Sequence, residues 1–93
     1  MDTKRLSSSA LLLREAIDAL KGEHPDVNFL STYQPLMTAI DEAMRGRISN
    51  SRNVGLARWE LESNIRDMPV VANLLAQFEL LLEGWPLPPD QNQ

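Results

Sequence analysis

The chain has 93 residues and carries 9 Lys and Arg against 13 Asp and Glu, which gives a formal net charge of -4. This length fits a single domain with one modest core, and the acidic balance argues against a nucleic-acid partner, which normally requires a basic surface. Because the chain contains no Cys, disulfides, thiolate metal sites and Cys nucleophiles are excluded.

Neither a secretory signal nor a membrane span is visible in the sequence. Lys4 and Arg5 would suit the basic start of a leader peptide, but Arg14 and Asp18 interrupt the apolar stretch that follows. The longest apolar run covers residues 10–13, far fewer than the ~18 residues of a membrane helix. We therefore expect a cytoplasmic protein that does not bind a membrane.

The first predicted helix covers residues 8–21. Ser hydroxyls at positions 7–9 are suited to capping its N-terminus, and Gly22 is placed to end it in a left-handed conformation. Its predicted apolar face consists of Leu12, Leu13, Ala16, Ile17 and Leu20.

The second predicted helix covers residues 26–45 and contains Pro35, which lacks the N–H that a helix interior requires. Two forms are open: a kinked helix, or a short helix followed by a longer one that starts near Thr32. The apolar positions that keep helical spacing are Phe29, Tyr33, Leu36 or Met37, Ile40 and Met44.

A third helix is predicted from Ser51 or Asn53 to Asp67, with Trp59 beside its apolar stripe. That stripe consists of Val54, Ala57, Leu61, Ile65 and Met68. The fourth helix runs from Met68 to Glu83, and we expect Asp67 to cap it. Its wide stripe, predicted to be the most buried, consists of Val70, Val71, Leu74, Leu75, Phe78, Leu81 and Leu82.

No alternating strand pattern competes with these helices. The sequence therefore predicts an all-α fold: one domain over residues 1–93, a small antiparallel bundle of four helices with the second helix kinked or split at Pro35. Residues 85–93 form a Pro-rich C-terminal tail, and we expect Trp85 to fold back onto the bundle as core packing.

Motifs for catalysis or metal binding are missing from the sequence. His24 is the only His and has neither a second His nor a Cys to share a metal, so we interpret it as a loop or cap residue. The acidic pairs, Asp41 with Glu42 and Glu60 with Glu62, fit solvated helix faces. We expect no enzyme activity, no metal and no cofactor.

Several short motifs, in their order along the chain, resemble one protein family. They are His24-Pro25, Phe29-Leu30, Leu36, Ile40, Arg47-x-Ser49, Val54-Gly55-x-Ala57-x-x-Glu60, Asp67-x-Pro69 and Leu74-Leu75. In this layout, over about residues 12–84, the chain resembles the small all-helical immunity proteins that neutralise NAD(P)+-degrading effectors of bacterial type VI secretion. The resemblance implies a protein without catalysis that binds a cognate effector toxin domain and covers its active-site cleft.

An immunity protein should expose side chains that core packing does not need. The candidates for toxin binding are Asp41, Glu42, Arg47, Asn50, Arg52, Arg58, Trp59 and Glu62. For Trp59 the sequence leaves core and interface equally open, since Trp is enriched in both.

Two other functions remain open. The chain is alternatively a helical adaptor, chaperone or dimerising protein, whose seam would be the stripe of the last helix at Leu74, Leu75, Phe78 and Leu82. A DNA-binding regulator is disfavoured by the acidic charge. The sequence does not distinguish a monomer from a homodimer.

Overall fold

The computed structural model describes residues 3–48 and 50–84, and every regular element in these two ranges is helical. The elements are α1 (Thr3–Leu20), α2 (Pro25–Thr32), α3 (Gln34–Met44), α4 (Ala57–Glu62), a 3-10 helix (Ile65–Asp67) and α5 (Pro69–Leu82). The all-α prediction is therefore confirmed for these residues. The described ranges hold five α-helices, because the second predicted helix is split in two.

Helix α1 starts at Thr3 and not at residue 8, so the serines at positions 7–9 lie inside it and do not cap it. Its buried apolar face is Leu6, Ala10, Leu13 and Ile17, a spacing of four, three and four residues. The early start explains an error in the predicted face: with Leu6 in the core, Leu12 turns outward and is 52% exposed.

The split form of the second predicted helix is confirmed. Tyr33 separates α2 from α3 in an extended conformation, with φ -80° and ψ 101°. Pro35 is the second residue of α3, where its missing N–H removes no helical hydrogen bond. The outer ends of the predicted stripe, Phe29 and Met44, are 38% and 37% exposed.

The third predicted helix is much shorter than expected. Residues 50–56 form no helix, α4 contains only six residues, and the 3-10 helix follows after Ser63 and Asn64. Gly55 adopts a left-handed φ of +75°, which a continuous helix does not allow. Leu61, predicted to be core, is 71% exposed.

Helix α5 begins at Pro69 after Met68, not Asp67, and no side chain caps it. Asp67 belongs to the 3-10 helix instead. Of the predicted stripe, Val70 is 66% exposed. The buried members are Val71, Leu75, Phe78, Leu81 and Leu82.

One apolar core joins these helices. Helix α1 makes its most extensive contacts with α5 and α3, and Phe78 is the largest of the fully buried side chains. Because Leu75, Phe78 and Leu82 are fully buried within the chain, the stripe proposed as a dimer seam is already occupied by the chain's own core.

Two glycines in left-handed conformation follow the ends of helices: Gly46 and Gly84 have φ of +69° and +88°. Gly22 does not adopt a left-handed conformation. In residues 3–48 and 50–84, no helix is both long and apolar enough for a membrane span. The Pro-rich tail and Trp85 lie outside the described residues.

Candidate functional site

The segment between α3 and α4, residues 45–56, is called the connecting loop. Its backbone makes hydrogen bonds to the α2–α3 junction on one side and to α5 on the other. The Tyr33 hydroxyl, at the α2–α3 junction, donates a hydrogen bond to the Val54 carbonyl at 2.7 Å. On the other side, the Arg52 N–H donates to the Leu82 carbonyl at 3.0 Å. The part of the connecting loop from Arg52 to Val54 is therefore held in place against the helices on either side.

Asn53 and Gly55 shape the end of the connecting loop. The Gly55 N–H donates to the Asn53 side-chain oxygen at 2.7 Å, and the Asn53 amide nitrogen donates to a Glu83 carboxylate oxygen at 3.1 Å. A Cβ on Gly55 would lie 3.4 Å from the Tyr33 hydroxyl. Position 55 favours glycine for its left-handed φ of +75°.

Ion pairs connect the end of α3 to the loop. Glu42 pairs with Arg52 at 2.5 Å, and Asp41 pairs with Arg45 at 3.3 Å along the helix. The hydrogen bond from Arg52 and the charges of Arg52 and Arg47 lower the pKa of Glu42, so its carboxylate stays charged. Arg47 itself is exposed.

The outer surface of α4 carries the remaining candidates. Arg58 and Glu62 form an exposed ion pair at 3.0 Å. Because successive helical residues are about 100° apart, Leu61 and Trp59 lie on two flanks of α4 with Arg58 and Glu62 between them. We call Phe29, Arg58, Trp59, Leu61 and Glu62 the α4 surface.

Three aromatic rings stack beside α4. Phe29 lies between Trp59, at a centroid distance of 5.1 Å, and Tyr33, at 5.6 Å. Trp59 is half-buried, so it contributes both to packing and to the surface. Sequence reasoning placed Phe29 in the core, and only its spacing of four residues from Tyr33 pointed to the stack.

A second group near α4 was missed in the sequence. Glu60 faces Glu79 of α5, and burial with the Glu60 and Glu83 carboxylates raises the pKa of Glu79 to about 8. Burial also raises the pKa of Glu60. Oε1 of Glu79 is buried without a hydrogen-bond partner among the described residues, which fits a protonated carboxyl group. The interpretation of Glu60 as a solvated residue is therefore wrong.

Asp26 stabilises the segment that follows the C-terminus of α4. Its carboxylate accepts a hydrogen bond from the Asn64 N–H at 2.9 Å, just beyond the last residue of the helix. This bond links α2 to the segment between α4 and the 3-10 helix. A six-residue helix is too short to be stable alone, so such side-chain ties hold it.

His24 lies at the N-cap of α2, as the loop-or-cap interpretation predicts, and its side chain makes no capping bond. No group of three or more His, Asp or Glu in the described residues is arranged to hold a metal ion.

The eight predicted residues fall into two neighbouring sets. Asp41, Glu42, Arg47, Asn50 and Arg52 belong to the end of α3 and the connecting loop, while Arg58, Trp59 and Glu62 belong to α4. Within them, the contacts join Glu42 to Arg52 and Arg58 to Glu62. A comparison with known protein families, curated proteins and solved structures finds no match.

Proposed function

We propose that this protein is a non-catalytic binding protein whose partner is another protein. The finer proposal follows the sequence resemblance: an immunity protein that works without a cofactor in the bacterial cytoplasm. It binds a cognate type VI effector toxin, an NAD(P)+-degrading enzyme, and covers its active-site cleft. The binding surface consists of the α4 surface and the neighbouring connecting loop.

Apolar exposure on the α4 surface is the observation that supports this proposal most. Leu61 is 71% exposed, more than any other large hydrophobic residue among those that the structure describes. Phe29 and Trp59 add aromatic area on the other flank, and Trp in particular is enriched among residues that dominate binding energy. Packing of the chain's own core does not explain Leu61.

The charges around this apolar area suit a specific interface. Arg58 and Glu62, with exposed fractions of 88% and 65% for their side chains, are positioned to exchange their mutual ion pair for pairs with a partner. Such rim charges mainly set association rate and partner choice. The net charge of -4 favours a partner whose contact surface is basic.

The connecting loop supports the proposal through its rigidity. Hydrogen bonds from Tyr33, Arg52 and Asn53 hold residues 52–54 of the loop before any partner binds. A segment that is already ordered loses little conformational entropy on binding, so more of the contact energy becomes affinity.

Co-expression tests the function. The toxin gene adjacent to this one is expressed in bacteria alone and with this protein, and both growth and cellular NAD+ are measured. We expect co-expression to restore growth and NAD+, and we expect a stable complex on size-exclusion chromatography. Continued NAD+ loss together with separate elution of the two proteins would refute the proposal.

A further inference from the structure

A groove lies between α1 and α5, on elements that the proposed binding surface does not use. Its volume is about 450 Å³, within the range of ~300–1,000 Å³ that is typical of small-molecule sites. Leu12 and Leu81 supply its apolar lining, and Ser8 and Gln77 add polar groups. Leu12 is 52% exposed, so its side chain is available to contact a ligand there.

One polar side chain at the groove lacks a hydrogen-bond partner. Ser9 lines the groove and is only 7% exposed, yet its hydroxyl makes no hydrogen bond with the described residues. A buried hydroxyl without a partner costs free energy. A ligand that places a hydrogen-bond acceptor in the groove would recover that cost, so Ser9 indicates a ligand independently of the apolar lining.

Positive charge is available at the same groove. Lys4 lines it, is exposed, and forms no ion pair with any residue that the structure describes. Arg5 also lies there but already has an interaction of its own, so we assign it no role. Lys4 and Ser9 are five residues apart in α1, about 7.5 Å along the helix axis. The long Lys side chain can therefore reach an anion that accepts a hydrogen bond from Ser9.

These groups match one class of ligand. Contact with Leu12 and Leu81 requires an apolar body, whereas Ser9 and Lys4 favour an acceptor that carries negative charge. A single available positive charge suits a monoanion, and a carboxylate at the end of an alkyl chain combines these properties.

We propose that the groove binds an alkyl carboxylate. The carboxylate accepts a hydrogen bond from the Ser9 hydroxyl and pairs with the Lys4 ammonium, and the alkyl chain packs against Leu12 and Leu81. Binding covers the exposed Leu12 and gives the Ser9 hydroxyl a partner. The site does not depend on the protein's proposed function as an inhibitor.

Titration calorimetry of the full chain with octanoate tests this proposal. We expect saturable binding of one octanoate per chain. Octylammonium has the same alkyl chain with the opposite charge, and we expect it to bind at least about ten-fold more weakly, because Lys4 repels it. Absence of saturable binding, or equal affinities for the two compounds, would overturn the proposal.

Ser9→Ala distinguishes this site from a general apolar surface. Because the Ser9 hydroxyl has no partner in the described part of the chain, its removal should not lower the melting temperature of the free protein. The affinity for octanoate should fall about ten-fold, because a hydrogen bond to a charged group is lost. Ser7→Ala is the matched control, since Ser7 lies on the same helix but does not line the groove. Equal affinities for the two variants would contradict the role of Ser9.

Leu12→Asn tests the apolar part of the site. It should weaken octanoate binding at least about five-fold, because the alkyl chain loses apolar contact. Leu11 is 44% exposed on the same helix but does not line the groove, so Leu11→Asn should leave the affinity unchanged. Circular dichroism checks that both variants keep their helices. Equal losses in the two variants would overturn the assignment of octanoate to the groove.

Discussion

Tyr33 joins two parts of the molecule through one hydroxyl. It lies at the α2–α3 junction and donates to the Val54 carbonyl in the connecting loop. Tyr33→Phe keeps the ring stacked on Phe29 but leaves that carbonyl without its donor. We expect the free energy of unfolding to fall by about 1 kcal/mol, measured by urea denaturation, and trypsin to cleave faster after Arg52.

Ser31→Ala is the control for Tyr33→Phe. It also removes a hydroxyl that bonds a backbone carbonyl, that of Asn28, but this bond is exposed and stays within α2. We expect it to change neither stability nor cleavage measurably. If the two variants cleave at the same rate, Tyr33 does not hold the loop.

Glu79 makes stability depend on pH. Burial and the neighbouring carboxylates raise its pKa from the ordinary value of 4.5 to about 8, so the folded state keeps a proton that the unfolded chain releases. The stabilisation is complete below about pH 4.5 and is lost as the pH rises through 8. Allowing for solvent screening, we expect a loss of about 1–2 kcal/mol across this range.

Glu79→Gln tests this directly, since an amide resembles the protonated acid and can still donate to Glu60. The variant should match the parent at pH 4.5 and be more stable by about 1 kcal/mol at pH 9, measured by thermal and urea unfolding. Glu62→Gln, in an exposed ion pair with Arg58, is the control and should keep the parent's pH dependence. Parallel curves for Glu79→Gln and the parent would contradict the assignment.

At the scale of the elements, local signals account for some boundaries and not for others. Pro35 was enough to predict a kink or a split in the second predicted helix, because its missing N–H acts locally. The extended conformation of Tyr33 makes it a split. The face of α1 was not predictable, since three consecutive leucines, residues 11–13, fit more than one face. The burial of Leu6 in the core determines which face of α1 is buried.

The short α4 could not be predicted from periodicity. Apolar residues from Val54 to Ile65 keep helical spacing, yet Gly55 lies outside the helix at one end and Ser63 at the other. Bonds to distant residues outweigh the local pattern there, namely Tyr33 to Val54 and Asp26 to Asn64. Helical periodicity compares residues three or four positions apart, so it does not predict contacts between distant parts of the sequence.

The early start of α1 leads to a prediction about stability. Leu6 is 1% exposed, so Leu6→Ala should lower the free energy of unfolding by about 2–5 kcal/mol through loss of buried area and creation of a cavity. Leu11→Ala, on the exposed side of the same helix, should cost well under ~1 kcal/mol. Chemical denaturation of both variants is the measurement. Equal losses in the free energy of unfolding would show that the first turns of α1 do not pack into the core.

At the scale of the whole molecule, the candidate site was predictable in part. The exposure of charged residues such as Arg58 and Glu62 follows from sequence, because charged side chains are rarely buried. The exposure of Leu61 and Phe29 does not, because it depends on how short α4 is and how it sits beside α2. The apolar part of the proposed surface therefore emerged only with the fold.

The proposed surface predicts a difference between two exposed leucines. Leu61 lies on the α4 surface, whereas Leu11 lies on α1 outside it, and both are exposed. Leu61→Asp should weaken binding of the partner without unfolding the chain, because a buried unpaired charge at an interface is costly. Leu11→Asp should leave binding unchanged.

The most direct measurement is the affinity of the proposed partner, a toxin encoded by the adjacent gene, for the parent, Leu61→Asp and Leu11→Asp. It is determined by titration calorimetry on folded proteins. We predict a loss of at least about ten-fold, or 1.4 kcal/mol, for Leu61→Asp and no change for Leu11→Asp. Equal affinities for all three proteins, or a loss confined to Leu11→Asp, would contradict the assignment of the binding surface to α4.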